Sequence, residues 1–296
     1  MVELKYVKKR KRRRIVAIAT LISLLGATSL GIIAFLGRNT GTFTVALDTG
    51  KVSLSLSQSE AFTNPTSFIR VNGLQYLQQS TYADQKADEL DSENSNGIES
   101  RNFFKLTFFI KNMATEIDSS VKYYMHFNIT DNRRTVDSEN NEYYLDDILR
   151  VRIFENDAGS SLHESETYAR KKKEVLRDSD GKPIKNADGS DIWQEYLYLS
   201  NDELNTRRRE HPETKTTDPT YYYGLAKNFE YSENSPDARS GTLATYKTQD
   251  FRPGEVKRYT IVCWLEGNDP ECIGNGEAWD ASSIKLGIQV NGYENQ

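Results

Sequence analysis

The sequence predicts an all-β fold, an antiparallel β-sandwich ectodomain that follows one N-terminal transmembrane helix. Three observations support this prediction. Several segments alternate apolar and polar residues with the period of two that is typical of β-strands, turn residues separate these segments, and one N-terminal stretch is apolar for long enough to cross a membrane. The predicted organisation is a basic cytoplasmic tail at 1–14, a transmembrane helix at 15–36 and a β-sandwich at 40–292, with a charged insert of loops and hairpins at 156–235.

The transmembrane segment begins with Ile15 and ends with Leu36, and its 22 residues include neither a charge nor a proline. A helix of this length spans about 33 Å, close to the about 30 Å of a hydrocarbon core. Eight basic residues precede it, and basic flanks favour the cytoplasmic side. The sequence therefore predicts a single-pass cell-membrane protein with a cytoplasmic N-terminus, an extracellular C-terminal domain and the lipid bilayer as a partner. A cleaved signal peptide is the alternative, although its apolar run is usually only about 7–15 residues.

The remainder of the chain is acidic. Of 38 Lys and Arg and 43 Asp and Glu, eight basic residues and one acidic residue lie at 1–36, so 37–296 holds 30 basic and 42 acidic residues, a net charge of −12. Such a surface repels phosphate backbones, so no nucleic-acid partner is expected. Two cysteines in the whole chain exclude a disulfide-rich scaffold.

The first predicted strand, 42–47, follows the membrane segment closely, and the turn Asp48-Thr49-Gly50 leads to a second strand. This pattern predicts a hairpin with one buried and one solvent-facing side. A terminal strand often lies at a sheet edge, where its backbone can pair with another chain. An edge position would leave strand 42–47 open to a protein partner or to self-assembly, but an intramolecular strand that completes its own sandwich is the preferred interpretation.

Further strands are predicted at 102–112, 122–130, 149–154, 257–267 and 283–291, whereas helical periodicity is limited to 74–90 and a short piece at 144–148. Alternation along the strands predicts which side chains face inward. These are Phe43, Val45, Leu47, Val52, Leu54, Phe108, Ile110, Val151, Ile153, Ile261 and Ile288.

The insert at 156–235 is rich in charge and poor in aliphatic residues, and it contains the candidate interaction residues Tyr221, Tyr222 and Tyr223. Tyrosines outside a clear core strand can form a platform for sugars or proteins, although tyrosine is also a normal strand residue. Two Asp/Gly clusters, at 178–181 and 186–191, suit either calcium or tight turns. Neither cluster fits the full twelve-residue calcium pattern, so turns are the better interpretation.

The string at 264–272, WLEGNDPEC, is the most distinctive in the chain. It predicts either a ligand or cation loop or, preferably, a structural corner in which the tryptophan packs. The residues of this loop are Trp264, Glu266, Gly267, Asp269 and Cys272. A disulfide between Cys263 and Cys272 is feasible outside the cell if the loop folds back on its strand. A buried, unpaired Cys263 is the alternative.

No known catalytic or cofactor motif is present: the chain has no HExxH, GxSxG, Walker A or GxGxxG sequence. Its three histidines, His126, His163 and His211, are isolated from one another in sequence, whereas a zinc site needs three or four converging ligands. We therefore expect no catalytic residues, no metal ligands and no cofactor, and the chain is predicted not to be an enzyme.

The segments GTFTVAL and GKVSLSLS after the apolar stretch, FKLTFFIKN, and the late FRPGEVKRYTIVCW resemble the exported TasA/camelysin-type β-sandwich proteins of low-GC Gram-positive bacteria. NPTSFIR, LRVRIF and WLEGNDPEC are closer to uncharacterised membrane-anchored surface proteins of such bacteria. The resemblance covers 40–155 and 240–292. It implies a jelly-roll-like sandwich at the cell surface and, for the better-known members, a role in matrix fibres or surface layers.

These features lead to three ranked expectations for function. The first is a non-enzymatic, membrane-anchored surface protein with a structural or interaction role, including a place in an extracellular matrix or fibre assembly. The second is a module that binds envelope polysaccharide or another ligand through the insert and its tyrosines. A metal-dependent hydrolase is the least favoured.

Overall fold

A computed structural model describes the following residues: 41–48, 50, 52–77, 79–80, 86–92, 96–98, 103–116, 120–132, 134–136, 140, 142–162, 165–170, 172–175, 178–180, 182–196, 226–231, 238–266 and 284–294. The predicted tail and transmembrane segment at 1–36 lie outside this part of the chain. Within it, no helix has both the length and the apolar character that crossing a membrane requires.

The described residues are mostly β-strands with almost no helix, as the sequence predicts. In chain order the strands are β1 (Thr42–Asp48), β2 (Leu54–Ser57), β3 (Phe68–Asn72), β4 (Gln79–Ser80), β5 (Gly97–Ile98), β6 (Phe104–Asn112), β7 (Val121–Asn132), β8 (Arg134–Val136), β9 (Glu142–Tyr144), β10 (Leu149–Asp157), β11 (Ser165–Ala169), β12 (Lys172–Val175), β13 (Trp193–Tyr196), β14 (Lys227–Asn228), β15 (Gly241–Phe251), β16 (Val256–Glu266) and β17 (Ile284–Glu294). The helices are a 3₁₀ turn (Leu74–Tyr76), α1 (Ala87–Ser92) and α2 (Leu145–Ile148).

Two large sheets contribute to one core. The smaller sheet has five strands in the order β15-β7-β17-β1-β3. The larger has eight, following β14-β11-β10-β16-β6-β2, with β4 beside β16 and β5 beside β6. Two-stranded ribbons, β12-β13 and β8-β9, complete the described strands. Since side chains of both sheets form one buried cluster, the apolar faces of the two sheets cover each other.

The edge position considered for Thr42–Leu47 is wrong, and the preferred interpretation, an intramolecular strand, is confirmed. Strand β1 is parallel to β17, with Phe43 opposite Leu286, and antiparallel to β3 on its other side. The predicted hairpin is wrong as well, because β2 belongs to the other sheet and pairs with β6. The chain crosses between the sheets directly after β1, and alternation in two consecutive strands is the same for a hairpin and for such a crossing. Both rows of backbone groups of β1 are therefore occupied within this chain.

The predicted core is largely confirmed. Of its eleven residues, ten are buried, and Leu47 is half-buried against them. The Phe43 ring stacks between two other core rings: its centroid lies 5.6 Å from that of Phe104 and 5.5 Å from that of Phe127. On β16 the alternation also holds: Cys263 faces this core, whereas Trp264 packs on the opposite side of the sheet. The period of two therefore identified the buried face correctly.

The described residues of 74–90 are less helical than the periodicity of their sequence predicts. Only the 3₁₀ turn at Leu74–Tyr76 and the start of α1 are helical there among the described residues, and the two-residue strand β4 lies between them. The predicted short helix at 144–148 corresponds to α2. Leu74 and Leu90 are both buried, in different clusters. Their helix-like spacing therefore reflects two separate packing contacts.

The charged segment 156–235 contributes directly to the larger sheet. Strand β11 extends the sheet from β10, and β14 adds to β11 in parallel, with Tyr168 opposite Lys227. Tyr168, Phe229 and Tyr231 belong to the main core. Both ends of this segment are therefore integrated into the fold, while residues 197–225 lie outside the described part of the chain.

Candidate ligand-binding groove

An open groove of about 980 Å³ lies between the two sheets. It is bordered by β15, an edge strand of the smaller sheet, and by the β10-β11-β14 side of the larger sheet. Its walls are polar and charged. The ionisable side chains that line it include those of Glu155, Glu166, Tyr168, Lys227, Tyr246 and Lys257. Ligand sites are commonly concave and about 300–1,000 Å³ in volume, and this groove falls within that range.

The floor of the groove continues the faces that form the core. Along β10, Val151 and Ile153 are buried, and Glu155, two residues on, lines the groove. Along β16 the same face changes from buried Ile261 to Lys257. Because residues two apart share one face of a strand, these changes from apolar to charged residues mark the place where the sheet stops being covered.

Glu166 lies at the centre of a hydrogen-bond cluster. Its Oε2 accepts hydrogen bonds from the hydroxyls of Tyr168 at 2.7 Å and Tyr246 at 3.1 Å, while its Oε1 pairs with the Lys227 ammonium. Burial by itself would raise the pKa of this carboxyl, but the bonds from Lys227 and the tyrosines outweigh burial and lower it. Glu166 is therefore an ionised acceptor at neutral pH.

The two tyrosines of this cluster stay protonated. Burial raises the pKa of Tyr168 and of Tyr246 far above the usual range, and the nearby Glu166 carboxylate raises both further. The hydroxyl oxygens of the two rings lie 3.4 Å apart. Both rings therefore present hydroxyl groups, and no phenolate, beside the groove.

Glu155 connects the groove to the interior. Its Oε1 accepts a hydrogen bond from the Tyr259 hydroxyl at 3.2 Å, and the hydroxyl of the fully buried Tyr123 lies 2.8 Å from that of Tyr259. Burial raises the pKa of Glu155, an effect that Lys257 and the Tyr259 hydrogen bond partly offset. The surroundings of Glu155 and Glu166 thus displace the pKa values of these two groove residues in opposite directions.

The groove extends beyond this cluster. A second hollow of about 770 Å³ shares Glu155, Lys247 and Lys257 with the first and reaches the turn between β15 and β16. At its border, Lys257 pairs with Asp157 at 2.6 Å. Lys247 lies with its ammonium 5.6 Å from the centre of the Tyr124 ring. The two hollows therefore adjoin at these shared residues and form one open channel.

One wall of the groove is the backbone of β15, which among the described residues pairs only with β7. The Glu230 carboxylate accepts hydrogen bonds from the Thr245 backbone N–H at 2.7 Å and from the Thr245 hydroxyl at 2.8 Å. The pairing of β15 with β7 is also interrupted at Thr242/Ala244 and at Thr248/Phe251. This edge is therefore irregular and partly occupied by a side chain.

A second cluster, of carboxylates, arginines and a tyrosine, lies at the end of β11; we call it the sealed cluster after its buried centre, although Arg239 at its border is 31% exposed. Asp146 is fully buried and pairs with Arg170 at 2.8 Å and with Arg239 at 3.2 Å. Its Oδ2 also accepts a hydrogen bond of 2.5 Å from Tyr231, and Asp147 pairs with Arg239 at 2.5 Å. This sealed cluster connects α2, β11 and the segments around 231 and 239.

The residues predicted as a loop from Trp264 to Cys272 divide in two. Trp264 is fully buried on the outer side of the larger sheet, and its indole N–H donates to the buried Glu266 carboxylate at 3.0 Å. Gly267, Asp269 and Cys272 lie outside the described residues. Trp264 and Glu266 thus occupy a packed, internally hydrogen-bonded position, and a ligand role for the remainder stays a prediction.

Among the described residues Cys263 has no disulfide partner, and its side chain has no exposed surface. Burial raises the pKa of its thiol far above the usual range. Its predicted disulfide partner, Cys272, is not among the described residues, and neither are Tyr221, Tyr222 and Tyr223. The predicted roles of those residues stay predictions.

The two Asp/Gly clusters use their carboxylates locally. Asp178 accepts hydrogen bonds from the backbone N–H groups of Asp180 and Lys182, both at 2.9 Å. Asp188 accepts from the Ser190 N–H at 2.9 Å and the Ser190 hydroxyl at 2.6 Å. These are the bonds of tight turns. The described part of the chain holds no group of three or more His, Cys, Asp or Glu arranged to bind a metal.

The groove residues were missed by the sequence interpretation, which placed its candidate surface in the tyrosine triplet. A signal was present: Glu155 ends LRVRIFE and Lys257 begins KRYTIVCW, so a charge falls on the inward face of each strand.

Comparison of the chain with protein-family models, with curated proteins and with solved structures gives no match.

Proposed function

We propose that this chain is a non-enzymatic, membrane-anchored protein of the cell surface whose extracellular, jelly-roll-like sandwich binds an envelope or matrix component. The observation that carries the proposal is the open groove, in which Glu155 and Lys257 continue faces that are otherwise apolar. Charged residues at such positions are unfavourable for packing and are suited to a polar ligand. The membrane anchor rests on the apolar segment 15–36 and its basic flank.

An interaction role suits the geometry better than the fibre assembly that the family resemblance implies and that an open first strand would have allowed. Strand β1 has a partner on each side within its own chain. Assembly would therefore have to use another edge, and the long edge of β15 is interrupted by irregular pairing and bonded to Glu230.

Sedimentation with insoluble cell-envelope fragments of a low-GC Gram-positive bacterium tests the binding role. The full chain in detergent is compared with Lys227→Glu, which places a second acid beside Glu166, and with Lys185→Glu, which alters another exposed ion pair outside the groove. We expect the unchanged chain and Lys185→Glu to sediment with the fragments. Lys227→Glu should lose about tenfold in affinity, because an acid at position 227 and Glu166 repel each other and the ion pair of the groove is lost. Equal binding by all three proteins, or no binding by any, would contradict the proposal.

Thiol labelling of intact cells tests the topology. A cysteine in place of Lys9 should be protected from an impermeant reagent, whereas one in place of Ser179 should react. Labelling at position 9 but not at 179 would reverse the proposed orientation.

A further inference from the structure

We propose that the groove binds an uncharged polysaccharide, a ligand class that its charge balance and its strand edge both favour. This inference rests on the proposed function, because it specifies what the same groove takes. The two alternatives are a charged polymer, held by opposite charges, and an extended peptide, added as a strand to β15.

The charges of the groove already have partners within the chain. Lys227 pairs with Glu166, and Lys257 pairs with Asp157 at 2.6 Å. Glu155 accepts a hydrogen bond from Tyr259. Because three acids, Glu155, Glu166 and Glu230, and three bases, Lys227, Lys247 and Lys257, line the groove, it lacks the excess of one sign that attracts a polyanion or a polycation.

The strand edge at the groove is unsuited to a peptide. Peptide addition requires a regular row of backbone N–H and C=O groups. In β15 the Thr245 N–H donates to the Glu230 carboxylate, and register shifts occur on both sides of that residue. A new strand would have to displace Glu230 and would still meet an irregular edge.

The hydrogen-bonding groups of the groove match a polyol. Carboxylates accept, ammonium groups donate, and the hydroxyls of Tyr168 and Tyr246 can do both. Sugar hydroxyls also both donate and accept, so they can join these pairs without displacing a charge. The two adjoining hollows share Glu155 and Lys257 and are open to solvent. A channel of this form suits several residues of a polymer better than a single compact molecule.

Binding of soluble, fluorescently labelled polysaccharides to the full chain in detergent tests the inference. The panel contains neutral glucans, mannans and galactans, with polygalacturonate as a polyanion and an unstructured alternating Thr/Val peptide as a strand donor. We expect saturable binding of a neutral polymer, with an affinity that changes little from low to high salt.

Two groove variants identify the site. Glu166→Gln keeps the side-chain shape but removes the charged acceptor, and Tyr246→Phe removes one hydroxyl. Each should weaken binding of the neutral polymer about tenfold, as expected for the loss of a hydrogen bond that involves a charged group. The matched control, Glu142→Gln, alters an exposed ion pair with Arg134 on the β8-β9 ribbon and should bind normally. Thermal unfolding of each variant shows that folding is retained.

The outcomes separate the two proposals. Preference for polygalacturonate with strong salt dependence, preference for the peptide, or the lack of any neutral ligand would overturn the polysaccharide inference. If envelope fragments were still bound in a Lys227-dependent manner, the proposed function would stand without it. Neutral-polymer binding that Glu166→Gln and Tyr246→Phe leave unchanged would also overturn the inference, because the polymer would then bind elsewhere.

Discussion

Two clusters of tyrosine, carboxylate and basic residues lie along β11, and they differ mainly in burial. The sealed cluster joins Asp146, Arg170, Tyr231 and Arg239, with Asp146 fully buried. The groove cluster joins Glu166, Lys227, Tyr168 and Tyr246, and the side chains of its ion pair are 40% and 59% exposed. The same chemistry therefore stabilises the fold at one site and faces solvent at the other. The difference in burial decides which of these contacts are available to a ligand.

The largest expected effect is in the sealed cluster. Asp146→Ala removes the fully buried partner of Arg170 and Arg239, which keep only the partly exposed Asp147, and we expect a cost of about 3 kcal/mol of unfolding free energy, the lower end for breaking a buried pair. Urea unfolding of the variant measures this loss. Asp157→Ala is the control, because its carboxylate pairs with Lys257 while 75% exposed; it should cost less than about 1 kcal/mol. Similar losses for the two variants would remove the distinction between sealed and open pairs.

The next largest change in unfolding free energy is expected on one face of β10, where Ile153 and Glu155 are compared. Ile153→Ala removes a side chain that is only 1% exposed and should cost about 2–5 kcal/mol. Glu155→Gln, two residues along, keeps an acceptor for Tyr259. Because burial raises the pKa of Glu155, its ionised form is disfavoured in the fold, so the amide should be neutral or slightly stabilising at pH 7. A clear loss of stability in Glu155→Gln would mean that its charge supports the fold.

Alkaline pH should destabilise the fold through its buried tyrosines. Burial raises the pKa of Tyr231 and of Tyr259 well above the usual value of 10.0. Above about pH 10 the unfolded chain loses these protons while the folded chain keeps them, so the free energy of unfolding falls by about 1.4 kcal/mol per pH unit for each such tyrosine. Urea unfolding at increasing pH measures the slope, and Tyr259→Phe should reduce it by one such step. An unchanged slope would contradict a raised pKa at this residue.

The smallest effect is expected in the groove. Lys227→Ala breaks a pair that is largely open to solvent, and such pairs contribute about 0–1 kcal/mol. The unfolding free energy should therefore change by no more than this amount, while polymer binding falls. A loss of several kcal/mol would place Lys227 among the residues that hold the fold together.

The sequence located the strands of the core well because burial alternates with a period of two along each strand, and that pattern is local. Phe43, Val45, Val151, Ile153 and Ile261 follow it and are buried. Trp264 and Cys263 follow it too, on opposite sides of β16. A charged residue at the end of such a row, as at Glu155, was a local sign of the groove that the sequence interpretation did not use.

Only the tertiary structure decided which strands are neighbours and which charges are sealed. Strand β1 pairs with β17, more than two hundred residues away in the chain, and no local pattern distinguishes that partner from a hairpin partner. Asp146 meets Arg170, Tyr231 and Arg239 at sequence separations of 24, 85 and 93 residues. Whether a carboxylate is enclosed depends on these distant segments. The same residue types therefore form a stabilising cluster at Asp146 and an open groove at Glu166.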